Sequence, residues 1–171
     1  MKNAILTVVK LLTFSAIVAG LSMPSHAAPK SFKKVTPQDV LEIAKGYGSA
    51  AFDEPEEPED GGEPENTNPV IQGRMDGFVY FIFFYDCDKR KACRDMVLSA
   101  GFETDDVDLD LINKWNKGSK FGQAYLDDDG DANLDMAVNL YGGIYYTNLD
   151  DTFDWWRASL SGFVDHIKFD E

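Results

Sequence analysis

The most constraining feature of this 171-residue sequence is an unbroken run of eight apolar residues, Phe-Val-Tyr-Phe-Ile-Phe-Phe-Tyr, at positions 78–85. Aromatic and β-branched residues favour strands. Alternate residues of a strand point to opposite faces, so Val79, Phe81, Phe83 and Tyr85 share one face. The other four share the opposite face, and both faces are apolar. The run therefore predicts a central strand that is covered on both sides.

Alternating apolar patterns predict four more strands around this run. Residues 70–75 form a hairpin with it around the turn Asp76-Gly77, and residues 93–102 follow it as a neighbouring strand. Residues 123–126 and 133–141 form a second hairpin around an Asp-Gly turn. Together the patterns predict an antiparallel sheet of five strands.

Three stretches carry helical spacing and helix-start signals. Residues 36–45 begin at Thr36 with the pattern of a capping box. A second helix is capped by Thr104 or Asp105, and a third opens at Thr147. The order α-β-β-β-α-β-β-α predicts an α+β fold with three helices and a five-stranded antiparallel sheet.

The first 27 residues have the pattern of a secretory signal. Lysines flank an eleven-residue apolar run at 11–21, and small residues precede the expected cleavage point after Ala27. The run is shorter than the ~20 residues that span a bilayer. We therefore expect a signal peptide at 1–27, a flexible tail at 28–34 and a periplasmic or secreted domain at 35–171. The mature chain is expected to have no membrane span.

The chain is strongly acidic, with a net charge of −14 that becomes −16 when the two lysines of the leader are removed. Such a surface repels phosphate backbones and therefore argues against nucleic-acid binding. Eight acids and three prolines fall within residues 53–65. This segment cannot bury apolar surface, so we predict a disordered loop at 53–68. A solvated insertion is favoured over a binding site for a basic partner or a weak calcium-binding segment.

The two cysteines of the chain, Cys87 and Cys93, lie between two predicted strands. Their spacing is not that of a CxxC redox motif, and they can face each other across a hairpin. Thiol pairs outside the cytoplasm tend to be oxidised. A structural disulfide is therefore predicted.

An acidic hairpin invites a calcium interpretation. Its candidate ligands are Asp127, Asp129, Asp131, Asn133 and Asp135. An EF-hand needs a glycine where Ala132 stands and a glutamate where Val138 stands. A polar hairpin turn is therefore favoured, and no metal-binding residue is predicted.

Catalytic groups are scarce in the predicted mature chain. Its one histidine, His166, has no nucleophile motif to serve, and a surface position near a helix C-terminus is expected for it. Carboxylates are abundant, so a carboxylate-based hydrolase remains an alternative. We predict no enzyme, no catalytic residues and no cofactor.

Several motifs together resemble the YbjN family of bacterial proteins, which are described as sensory-transduction regulators. The matching elements are Cys87 with Cys93, Gly101-Phe102, Ile112-Asn113-Lys114-Trp115-Asn116, Phe121, Ala124-Tyr125-Leu126, Asp129-Gly130-Asp131 and Gly142-Gly143. The resemblance covers residues 35–168. It implies a fold similar to the type III secretion chaperones, and it carries over no catalytic residues. The acidic insertion at 53–65 and the leader set this chain apart from many relatives.

The function predicted from these features is an exported, non-enzymatic protein-interaction module. Three helices are few to cover both faces of a five-stranded sheet, and leftover apolar surface marks an interface. The predicted surface consists of Val79, Phe81, Phe83, Tyr85 and Trp155. Trp155 lies off the apolar stripe of the last helix, and packing against a neighbouring strand is an equal alternative for it. The expected partner is another polypeptide or a second copy in a homodimer. A hydrolase and a calcium-dependent envelope protein are the alternatives.

Overall fold

The computed structural model describes residues 30–53, 68–88, 91–104 and 106–169. The predicted signal peptide at 1–27 and nearly all of the predicted loop at 53–68 lie outside these residues. The described elements are, in chain order, β1 (Ser31–Phe32), α1 (Pro37–Ala44), β2 (Ser49–Asp53), β3 (Val70–Met75), β4 (Phe78–Tyr85), β5 (Asp95–Phe102), α2 (Leu109–Gly118), β6 (Gln123–Leu126), β7 (Ala132–Asn139), β8 (Ile144–Tyr145) and α3 (Tyr146–Ile167).

Six strands form one antiparallel sheet in the order β2-β3-β4-β5-β7-β6, while β1 and β8 form a separate pair. The α+β class with three helices is confirmed. The prediction of a five-stranded sheet is wrong, because β2 adds a sixth strand beside β3, from Ser49 opposite Arg74 to Asp53 opposite Val70. The β2 sequence, Ser-Ala-Ala-Phe-Asp, contains no β-branched residue and so carries little strand signal of its own.

Part of the segment expected to be a flexible tail, 28–34, is a strand. The two residues of β1 pair with the two of β8, directly before α3. The approach is close at Gly143, whose φ is 94° and where a Cβ would collide with the carbonyl oxygen of Phe32. Glycine is therefore needed at this position for the pair to form.

Helix α1 begins as predicted. Thr36 is the N-cap, and its hydroxyl accepts the backbone N–H of Asp39 at 3.1 Å. The Asp39 carboxylate in turn accepts the backbone N–H of Thr36 at 3.0 Å, which completes the capping box. Two N–H groups that a helix start leaves without partners are thereby satisfied.

Helix α2 begins later than the sequence predicts. Its N-cap is Asp108, whose carboxylate accepts a backbone N–H of the first turn at 2.8 Å. The predicted cap at Thr104 or Asp105 is therefore wrong. Thr104 instead donates its backbone N–H to the carboxylate of Asp131, and Asp105 lies outside the described residues. Val107 is buried before the helix starts, so the chain enters the core ahead of the cap.

Helix α3 also starts at a different residue from the predicted one. Its first residue is Tyr146 and its N-cap is Tyr145, which makes no side-chain capping bond. The predicted start at Thr147 is wrong, because β8 runs directly into the helix and places that threonine inside the first turn.

All buried side chains of the six-stranded sheet lie on the face that packs against the helices. Trp156 of α3 is fully buried there beside Tyr80, with ring centroids 6.0 Å apart, and burial raises the pKa of Tyr80 to about 12. The residues that alternate with the buried ones form the opposite surface, which we call the open face; none of them is buried. The prediction that β4 is covered on both sides is therefore wrong for the described part of the chain.

The turn between β3 and β4 is tied to α3 by a two-pronged ion pair. The Arg157 guanidinium donates from two nitrogens to the two carboxylate oxygens of Asp76, each at 2.7 Å. The hydrogen bonds from Arg157 hold the pKa of Asp76 below its ordinary value of 3.8.

We expect carbon-detected NMR to show Asp76 titrating below 3.8, and Arg157→Gln to return its pKa towards 3.8. Because the folded-state pKa is the lower one, the stabilisation is present above the unfolded value and is lost as pH falls through the folded value. Arg157→Gln should therefore be less stable than the wild type at neutral pH, and the difference should vanish as pH falls through the folded-state pKa of Asp76. A wild-type Asp76 that titrates at or above 3.8 would contradict this assignment.

Candidate interaction surface

The open face carries four of the five residues predicted as an interaction surface. Val79, Phe81 and Phe83 are half-buried along β4, and Tyr85 at the end of that strand is 47% exposed. The rings of Phe81 and Phe83 stack with centroids 6.0 Å apart and planes 26° from parallel. Each ring thus shields part of the other, and their outer surfaces remain available.

The stacked pair occupies the middle of the sheet. Phe83 lies between Val70 of β3 and Val97 of β5, so an apolar row crosses three strands. Phe81, one row along, has polar neighbours on both sides. The open face is therefore an aromatic and aliphatic centre within a more polar surface.

Charged groups surround this centre. They are Asp53 on β2, Arg74 on β3, Asp95 on β5 and Asp135 on β7. The Arg74 guanidinium donates to the carbonyl oxygen of Gly77 at the hairpin turn. Three carboxylates against one guanidinium give this rim a negative balance.

Tyr125 of β6 lies at the far side of the same face. Partial burial raises the pKa of its phenol, and the nearby carboxylates of Asp135 and Asp127 raise it further.

The fifth predicted residue, Trp155, is not part of the open face. It lies on the outer side of α3, next to the buried Trp156, and packs against Phe121 with ring centroids 4.6 Å apart. Its indole N–H donates to the carboxylate of Asp151 at 3.1 Å. The structure thus separates Trp155 from the four residues of β4.

A disulfide between Cys87 and Cys93 closes the loop that follows β4. Within this loop Asp88 and Ala92 form an isolated β-bridge. The backbone N–H of Cys93 donates to the carbonyl oxygen of Val35 at 3.2 Å. The predicted disulfide therefore anchors the end of β4 to the start of β5 and to the segment that precedes α1.

The acidic hairpin uses its carboxylates within the turn. Asp127 accepts the backbone N–H groups of Asp129 and Asp131 at 3.1 and 2.9 Å, and the side-chain amide of Asn133 at 3.0 Å. The Asn133 amide and these backbone donors lower the pKa of Asp127. These contacts support the interpretation as a polar hairpin turn. Within the described ranges, no three His, Cys, Asp or Glu side chains are arranged to hold a metal ion.

His166 is less exposed than the sequence suggests. It lies in the last turn of α3 but is half-buried, and its Nε2 donates to the carbonyl oxygen of Leu111 at 2.9 Å. Its ring packs near Trp115, with centroids 5.7 Å apart. The expectation of a surface position is thus wrong, because this imidazole joins α3 to α2.

Asn116 has a structural role that the sequence alone does not indicate. Its side chain bonds to the backbone of β6, the strand at one edge of the sheet. Its side-chain carbonyl accepts the backbone N–H of Ala124 at 2.8 Å, and its amide donates to the Ala124 carbonyl at 2.9 Å. The amide thus makes the two bonds that a neighbouring strand would make to β6. The motif at 112–116 that marks the family resemblance contains this residue.

Asn116→Ala is expected to lower the free energy of unfolding by about 1–2 kcal/mol, since Ala124 is buried and loses both partners. Urea denaturation measures the change. Asn113→Ala, the same substitution at a residue of α2 whose side chain makes no hydrogen bond within the described part of the chain, is the control and should leave stability nearly unchanged. Equal effects of the two substitutions would contradict the role assigned to Asn116.

These features define a two-layer α+β protein with helices on one face of its sheet and an aromatic surface on the other. A family model described as "YbjN: Putative bacterial sensory transduction regulator" matches residues 40–169, about three quarters of the chain. The chain therefore belongs to the YbjN family. No curated protein and no solved structure matches it.

Proposed function

We propose that this protein is an exported, non-enzymatic regulatory module that binds another polypeptide through the open face. The observation that carries the proposal is the stacked pair Phe81 and Phe83, half-buried on the face of the sheet opposite to the described helices. Apolar surface of this kind on a folded domain marks an interaction site. The family description supports a regulatory role rather than catalysis.

Charge supports a partner of basic character. The chain carries a net charge of −14, and the rim of the open face is also negative in balance. A second copy would bring a like charge to the surface, whereas a basic polypeptide would be steered towards it. We therefore favour a different polypeptide over a homodimer. The likeness to type III secretion chaperones, which the family resemblance implies, is consistent with this proposal as an analogy of fold.

Export is proposed from the apolar run at 11–21 and the small residues before Ala28. No helix in the described part of the chain combines the length and the apolar character needed to cross a bilayer. Intact-mass measurement of the native protein should give a chain that starts at Ala28. A retained Met1 or an acylated N-terminus would contradict export by this route.

Binding can be tested by placing the photo-reactive residue benzoylphenylalanine at Phe83 and, in a separate control, at Trp155. Irradiation in cells should crosslink a polypeptide from position 83 and not from position 155. The captured polypeptide, prepared in pure form, should then bind the protein in solution, and Phe81→Ser should weaken that binding at least about tenfold.

Two outcomes would contradict the proposed function. One is the absence of crosslinks from position 83, or crosslinks only to a second copy accompanied by a dimer in sedimentation. The other is a robust catalytic turnover that a single carboxylate substitution abolishes.

A further inference from the structure

We propose that the outer edge of β2 is a docking site for an extended segment of another polypeptide, which adds a seventh strand to the sheet. The segment alternates apolar with polar or basic residues. This inference rests on the proposed function and names the part of the molecule where the partner's backbone binds.

The two edges of the six-stranded sheet are unequal. At one edge the Asn116 side chain occupies the backbone groups of Ala124, and α2 lies against β6. At the other edge β2 pairs only with β3 within the described ranges. Its sequence, Ser-Ala-Ala-Phe-Asp, contains no lysine and no proline, the residues that commonly block strand addition at an edge.

The free edge is also held in place. Tyr47, two residues before β2, donates its hydroxyl to the carbonyl oxygen of Asp150 at 2.9 Å and stacks on Phe153 with ring centroids 5.5 Å apart. These contacts fix the start of β2 to α3. An edge fixed in this way can template an incoming strand with little loss of its own conformational freedom.

A surface cavity lies on each side of β2. On the open face a cavity of about 320 Å³ is lined by Ser49, Ala51, Gln72, Arg74 and Val79. On the helix side a cavity of about 600 Å³ is lined by Thr36, Pro37, Gln38, Phe52, Pro69 and Lys91. The first lining is mixed in polarity. The second contains two prolines and a phenylalanine that is 40% exposed.

An added strand would use both cavities at once. Side chains of a strand alternate between the two faces, so successive residues of the guest would point into the two cavities in turn. Those on the helix side would meet the apolar surface of Phe52, and those on the open face would meet Ser49, Gln72 and Arg74. The guest that fits both sides is therefore apolar at every second residue and polar at the others.

A second copy of this chain is a poorer occupant. If β2 paired with itself, Ser49 and Ala51 would be the side chains beside the open-face cavity, and both are too small to fill it. Two chains of net charge −14 also repel each other. A partner with a basic residue gains from the same charge beside Asp53 at the end of β2, and not inside the two cavities, which Arg74 and Lys91 line.

The test uses the full mature chain and a fluorescent peptide of sequence Lys-Leu-Ser-Leu-Ser-Leu-Ser-Leu-Lys as the probe. We expect saturable binding. A peptide of the same composition with its leucines in one block, and one with glutamate at both ends, should each bind at least about tenfold more weakly. Equal binding of the three peptides would contradict both the alternating pattern and the basic character that the proposal assigns to the guest.

Backbone pairing is tested by methylating the peptide's amide nitrogens. Only every second amide of an edge strand faces its neighbour, so methylation of one alternate set should abolish binding and methylation of the other set should leave it nearly unchanged. Phe52→Ser should weaken binding, and Gln123→Lys at the opposite edge should not. Circular dichroism of each variant checks that it has folded.

The outcomes separate this inference from the proposed function. If the probe crosslinks from position 83 but both methylated sets bind alike, binding to the open face stands and strand addition at β2 is refuted. If no peptide binds and position 83 captures nothing in cells, both proposals fail. If the protein dimerises on its own and the β2 amides become protected from hydrogen exchange, the edge belongs to a second copy and the inference is overturned.

Discussion

Replacing Trp156 by alanine is expected to lower the free energy of unfolding by about 3–5 kcal/mol, the range for a fully buried large aromatic side chain. The indole packs against Tyr80 on the helix side of β4, and its loss leaves a cavity between α3 and the sheet. Its Nε1 is buried without a hydrogen-bond partner among the described residues. Trp156→Phe, which removes that N–H and keeps an aromatic ring, should therefore cost much less than alanine.

The adjacent tryptophan is a matched control for this substitution. Trp155 is 43% exposed and packs against the ring of Phe121 at the outer surface of α3. Trp155→Ala should change stability by no more than about 1 kcal/mol. Urea denaturation of the two alanine variants measures the contrast. Similar losses from both would show that the two tryptophans are not divided between core and surface as the structure has them.

Removing the disulfide is expected to cost roughly 2–3 kcal/mol, because the bond closes a short loop and the entropic gain rises only slowly with loop length. The two cysteines are six positions apart, and Cys93 is buried whereas Cys87 is half-buried. The double variant Cys87→Ser with Cys93→Ser removes the bond without leaving a free thiol. Urea denaturation should place its midpoint below that of the oxidised protein.

Dithiothreitol provides the control for that experiment. It should lower the midpoint of the wild-type protein and leave the double variant unchanged. Alkylation of the unreduced, denatured protein should find no free thiol. A wild-type midpoint that does not respond to reduction would contradict a stabilising role for the bond.

Strand β4 shows what the sequence can predict. Its bounds, Phe78–Tyr85, match the apolar run because the signal lies in the residues themselves. Strand β2 shows the opposite case. Its small residues carry almost no strand preference. It forms a strand by pairing with β3, whose residues lie about twenty positions later in the chain, so a local sequence pattern does not reveal it.

The candidate surface was predictable in part for the same reason. Apolar residues on both faces of β4 indicate that the strand is central, but they do not show which face meets the helices. That is decided by contacts such as the one between Tyr80 and Trp156. Trp155 lies off the apolar stripe of α3, which marks it as a surface residue, but helical spacing alone does not reveal that α3 places it away from the open face.

The predicted start of α2 at Thr104 or Asp105 is wrong, because the chain first buries Val107 and the helix begins after it, with Asp108 as its cap. Asn116 posed a different difficulty. A side chain that substitutes for a strand is recognisable only when its distance to Ala124 is known.

The unequal edges of the sheet have a consequence for assembly. A chain with two free edges could pair head to tail with its copies, and such contacts do not close, so they generate fibres. Asn116 occupies the backbone groups of Ala124 on β6, so a second copy cannot use its own β6 edge to pair with β2 of the first. Growth would stop after a single addition. If a guest strand adds at β2 as proposed, the amide of Asn116 leaves no second edge of the six-stranded sheet for another guest.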